Sequence, residues 1–97
     1  MDKSMVDESS AEDIDLIVVG FDEKNRVVAS PTSSLGSLQL SSIKGLEARY
    51  EDYNGTIWIG SVTEVIGDAA IIEFEKMRMG VWPTGLGLGS LIRVTKP

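Results

Sequence analysis

Residues Thr56 to Glu75 spell TIWIGSVTEVIGDAAIIEFE, and the stretch is entered through Asn54-Gly55. Asn-Gly is the strongest short-range hairpin signal, because both residues tolerate the positive φ that a type I′ turn demands. Gly67-Asp68 repeats that logic one strand later. Two tight turns flanking a β-branched run predict an antiparallel meander. In its last strand Ala70, Ile72 and Phe74 alternate with Glu73 and Glu75, the pattern of a strand with one wet face. Its middle strand breaks phase: Ile57 and Ile59 share a face, but Val62 and Ile66 fall on the opposite one. Gly60 lies between the two sets, where a bulge would return both to one interior and bend the strand as a small barrel requires.

The flanking sequence follows the same habit. LIVVGF (16–21) and RVVAS (26–30) enclose the polar Asp22-Glu23-Lys24-Asn25 and are expected to pair as a first hairpin. Leu46, Ala48 and Tyr50 alternate with Glu47, Arg49 and Glu51. Between them, Leu35, Leu38, Leu40 and Ile43 fit neither period cleanly, although Leu38 and Leu40 alternate as a short strand would. Leu91, Ile92 and Val94 supply a closing strand after the glycine-rich TGLGLGS. Six or seven short strands without an amphipathic helix predict an all-β fold, a small antiparallel β-barrel or a thin sandwich. Closure favours the barrel, since it removes the edges an open sheet of this size would expose.

Ninety-seven residues suit one domain, and 42% apolar with 25% charged residues is ordinary globular composition. Charge is uneven along the chain. Residues 1–13 hold Asp2, Asp7, Glu8, Glu12 and Asp13 against Lys3, a net −4, which leaves −2 for residues 14–97. So acidic a segment with few large apolar residues does not repay its ordering entropy, so 1–13 are expected as a disordered tail and 14–97 as the barrel. The run Leu16-Ile17-Val18-Val19 falls far short of a bilayer span, and MDKSMVDESSAED has no basic start followed by an apolar stretch. No membrane association and a cytoplasmic location are the expectation.

Cysteine and histidine are both absent. Disulfides, thiolate or imidazole metal sites and triads built on Ser/His/Asp or Cys/His are thereby excluded. Carboxylate chemistry through Glu64 and Asp68, or Glu73 and Glu75, has a simpler explanation in solvated strand and turn positions. Gly85, Gly87 and Gly89 lack the following helix and the downstream acid of a dinucleotide fingerprint. The bases Lys24, Arg26, Lys44, Arg49, Lys76, Arg78, Arg93 and Lys96 are scattered, and the net charge of −6 leaves no footprint for autonomous nucleic-acid binding. Neither an enzyme, a cofactor nor a metal is expected.

Lys76 to Pro83, KMRMGVWP, breaks the strand alternation. Met77, Met79, Val81 and Trp82 beside two bases have the composition of a protein interface, and Trp58 can add to it. The alternative is that Trp82 plugs one end of the barrel while Met77 and Met79 fill gaps. Gly45-Leu46-Glu47-Ala48 and the segment Asn54 to Phe74, with Ile59-Gly60-Ser61-Val62-Thr63-Glu64-Val65-Ile66-Gly67 at its centre and a hydrophobic closing strand after it, carry a resemblance. They resemble the small barrel subunit of archaeal and eukaryotic H/ACA pseudouridylation particles. That subunit shares a barrel type with translation-factor second domains and rotary-ATPase N-terminal barrels, which the segment is also similar to. The resemblance implies an adaptor in which Ile59, Gly60, Val62, Val65 and Ile66 lie at or beneath a surface that docks a catalytic partner. The expected function is a non-enzymatic barrel that docks a protein partner in a ribonucleoprotein or translation-related assembly, contacting RNA only indirectly if at all. A rival reading is an oligonucleotide- or ligand-binding barrel that stacks its ligand on Trp58, Tyr50 and Tyr53.

Overall fold

A computed structural model describes residues 13–33 and 40–95. The expected tail, Asp13 apart, lies outside the described residues, as do Leu35 and Leu38. Six strands form: β1 (Asp13–Phe21), β2 (Val27–Pro31), β3 (Glu47–Glu51), β4 (Ile57–Ile66), β5 (Ala69–Phe74) and β6 (Leu91–Thr95). They close into a barrel in the order β1-β2-β5-β4-β3-β6, every neighbouring pair antiparallel. Thus β1–β2 is a hairpin, β3–β4–β5 a meander, and β6 inserts between β1 and β3. Asp13 belongs to the barrel, since it pairs with Thr95. Two 3-10 turns, Leu40–Ser42 and Glu75–Met79, complete the described elements. Leu40, expected on a strand, lies in the first of these and is buried there. Among the described residues no helix is long and apolar enough to cross a membrane.

Alternation fills the interior. Leu16, Val18, Val27, Val62, Ile72, Phe74, Ile92 and Val94 are fully buried, joined by Ile43 from the β2–β3 connection. Each such side chain contributes on the order of 1.5–3 kcal/mol by leaving water. Ala29, Ala48 and Ala70 occupy inward positions where a larger residue would overfill so small a barrel.

The phase of β4 differs from expectation. Its bulge falls at Thr63, between Val62 and Glu64, and not at Gly60. Gly60 lies in regular ladder opposite Ala48 and Phe74 and is not among the glycines with positive φ. Trp58, Gly60 and Val62 are therefore the inward set, and Ile57 and Ile59 face out. What requires glycine is space: a Cβ at Gly60 would stand 2.6 Å from the Glu73 carbonyl oxygen and 2.8 Å from Phe74 Cα.

The turns differ as well. At Asn54-Gly55 only Gly55 has positive φ, and the connection is a three-residue loop in which the Gly55 amide donates to Asp52 O and the Asp52 amide to Thr56 O. Gly67, but not Asp68, has positive φ, so the two-residue β4–β5 loop follows the φ pattern of type II′.

Candidate functional site: a groove beside Trp82

The segment after β5 is fixed by its own backbone. Glu75–Met79 makes one 3-10 turn that ends at Gly80, φ 82°. The Val81 amide donates to Lys76 O and the Gly80 amide to Met77 O, both at 3.0 Å, which is the paired bonding of a Schellman cap. Met77 turns inward, packs on the core and accepts the Phe74 amide at its thioether sulfur. Met79 projects outward, 73% exposed. Pro83 and Leu86 are buried, and the Tyr50 hydroxyl donates to the Thr84 carbonyl at 2.9 Å. The buried residues of this stretch are thus Pro83 and Leu86.

Trp82 is instead 42% exposed. Its indole N–H donates to Leu86 O at 3.1 Å, and its ring meets Phe21 at 5.4 Å between centroids, tilted by 56°. Phe21 ends β1 and is 41% exposed. Both rings line a groove of about 570 Å³ together with Val81, Gly80 and Met77. Its polar lining is Lys24, Asn25 and Arg26 of the β1–β2 turn, with Glu73.

That turn is held by hydrogen bonds to Asp22. Asp22 Oδ1 accepts the amides of Lys24 and Arg26 at 2.9 and 2.7 Å, and Asp22 Oδ2 accepts Arg26 Nε at 2.8 Å. Burial works against the ionised Asp22, but the bonds from Arg26 and Lys24 outweigh it and hold its pKa below the ordinary value. The hydrogen bond that Arg26 donates to Asp22 in turn raises the Arg26 pKa. Arg26 also reaches the β4 bulge, donating to Thr63 Oγ1 at 3.4 Å and pairing with Glu64 at 3.6 Å. The guanidinium thus ties the turn to the bulge.

The residues singled out in the sequence divide among several places. Met77, Val81 and Trp82 line the groove. Gly60 and Val62 are buried in the barrel wall, and Val65 packs partly on the core. Ile66 is exposed at the β4–β5 turn. Trp58 and Ile59 line a separate, smaller depression with Glu75 and Lys76, whose ammonium stands 5.6 Å over the Trp58 ring.

Two residues of consequence carried no expectation. Phe21 passed as the end of a strand. Asp52, just ahead of the β3–β4 turn, is 5% exposed and accepts the Trp58 indole N–H at its Oδ2 at 3.0 Å. Its signal is an aspartate two residues before Asn-Gly. Neither proposed carboxylate pair assembles: Glu64 pairs with Arg26, Asp68 is exposed in a turn, and Glu75 has left the strand that carries Glu73. Among the described residues no cluster of three acids could hold a metal.

This architecture defines the class, a small closed six-stranded antiparallel β-barrel with an aromatic groove at one side. No protein-family model matches the chain, and no curated protein matches it in sequence.

Proposed function

We propose that the protein is a non-enzymatic docking module whose Phe21–Trp82 groove receives a segment of a partner protein. The observation that carries this reading is the tilted aromatic pair, two large rings each more than two-fifths exposed on a backbone fixed by caps and turns. Aromatic residues in a preformed depression are the usual anchors of a binding hot spot, and a rigid frame lowers the ordering cost of association. The sharper form of the proposal, a place in a ribonucleoprotein or translation-related assembly with RNA contacted indirectly, rests on the resemblance of β4 and its flanks. The stacking alternative is disfavoured by its own residues. Tyr50 is 7% exposed and bonded to Thr84, Trp58 is half-buried with its N–H committed to Asp52, and only Tyr53 stands free of the core at 80% exposure.

A photo-crosslinking residue at Val81 tests the proposal in the source cell. The expected result is one discrete protein adduct that is lost on Trp82→Ala or Phe21→Ala, while each variant keeps a cooperative thermal transition. Truncating a hot-spot tryptophan typically costs about 2 kcal/mol or more of binding. Adducts unchanged by both substitutions, or recovery of nucleic acid in place of protein, would overturn the reading.

A further inference from the structure

The outer face of β1, β6 and β3 carries a charge pattern that the groove does not use. Asp15 on β1 pairs with Arg93 on β6, and Arg93 pairs with Arg49 on β3, so two arginines stand side by side in one row. Like charges directly opposite each other destabilise a sheet unless each is compensated. Arg93 Nε lies 3.0 Å from Asp15 Oδ1 and 3.8 Å from Asp13 Oδ2; Arg49 Nε lies 2.6 Å from Glu47 Oε2. A guanidinium has donors on both its edges, and among the described residues these contacts are made through Nε. The two arginine side chains remain 60% and 55% exposed.

The next row along holds three apolar residues and one acid. Ile17 faces Leu91 across β1 and β6, and Glu51 faces Ile57 across β3 and β4. Leu91 is 61% exposed and Ile57 48%. A depression of about 430 Å³ joins them to both arginines and to Asp13, Asp15 and Glu51. Exposed apolar side chains and arginines, both favoured at interfaces, thus share this face with acids of opposite charge.

We propose that this face is a two-fold interface between two copies of the chain. Charge complementarity selects that occupant. The two arginines are interleaved with Asp13, Asp15 and Glu51, so a partner of one sign meets repulsion wherever it meets attraction. A surface bearing both signs at the same spacing does not, and the face itself is such a surface. In an isologous contact each patch meets its own image. Arg93 of each copy then points its outer edge at the Asp13 and Asp15 carboxylates of the other, while Leu91 packs against Leu91 near the axis.

Sedimentation equilibrium of the full chain is expected to return the mass of two copies. Arg93→Glu and Asp15→Arg should each weaken that dimer by roughly tenfold or more, because each places like charges across the contact. An equimolar mixture of the two variants should restore it, since every introduced acid then faces an introduced base. Leu91→Asp, at an exposed site, should also yield single copies with a near-native melting temperature. A wild-type chain that stays single up to its solubility limit overturns the proposal. So does a dimer that survives both charge reversals, a mixture that fails to reassociate, or a dimer abolished by Trp82→Ala, which would place the contact at the groove.

Discussion

Gly60 is the residue at which pattern and packing part. Its position between two apolar sets of opposite phase predicted a bulge, and β4 does contain one, three residues later at Thr63. Ile57 and Ile59 lie on the face opposite Val62, as plain alternation puts them, so their phase required no bulge; the extra step comes later, between Val62 and Val65, and the sequence does not announce it because Thr63 has no conformational signature. It is marked only in space, where its hydroxyl donates to Ile71 O at 3.2 Å and accepts from Arg26. Gly60 serves instead as a notch for the β5 backbone and the Phe74 ring. Gly60→Ala is therefore expected to destabilise by about 1–3 kcal/mol, the usual cost of overpacking. Since the nearest obstacle is the Glu73 carbonyl and not the ring tip, trimming the ring with Phe74→Leu should not rescue it. Denaturant titration of the single and double variants measures both statements. Full rescue would mean that the aromatic ring, not the backbone, sets the limit.

Among the elements, the β1–β2 and β3–β4 loops are built alike. In each, an aspartate opens a three-residue loop, the third loop residue takes positive φ (Asn25, 63°; Gly55, 85°), and the aspartate Oδ1 accepts two amides. Each Oδ2 then accepts from a side chain of the outgoing strand or of the residue just before it, Trp58 Nε1 in one case and Arg26 Nε in the other. The recurrence was partly legible, as both loops are short, polar and end in Asn or Asn-Gly. The aspartate's role was not, since an acid beside a turn is ordinary and only the three-dimensional fold shows what closes over it. Both carboxyls titrate low. For Asp52 the Trp58 hydrogen bond leads, helped by the amides of Thr56, Asn54 and Gly55 against the cost of burial. A folded state that binds protons less readily than the unfolded chain gains stability as pH rises through that window. The contribution is complete above the unfolded value of about 3.9 and is lost as pH falls through the lower folded values. Melting temperature measured from neutral pH downward should hold level and then drop in acid. In the Asp22→Asn/Asp52→Asn variant it should start lower and drop less steeply. An acid slope identical to that of the wild type would remove these two groups from the acid response.

For the whole molecule, closure was legible and surface function was not. Alternation in β1, β3, β5 and β6 together with the turn residues leads to an all-β chain of about this strand number, and the closed order β1-β2-β5-β4-β3-β6 follows once β6 finds its place between β1 and β3. Interface residues obey no such period. Phe21 joins Trp82 only because the β1–β2 turn and the Schellman-capped segment converge, a proximity across some sixty residues of sequence that no local pattern encodes. The same closure brings Asp13 opposite Thr95 as Cα partners. Paired residues on antiparallel strands stand about 4.5–5.5 Å apart, so the chain enters and leaves the barrel at one spot. A domain with adjoining ends can be spliced into a loop of another protein, or rejoined and reopened elsewhere, without disturbing its core. A circular permutant that links Thr95 to Asp13 through a short glycine linker and begins at Asp68 is accordingly expected to fold. Its amide exchange protection across the β1–β6 seam should match that of the parent. In such a permutant the barrel becomes a ring with no privileged starting strand.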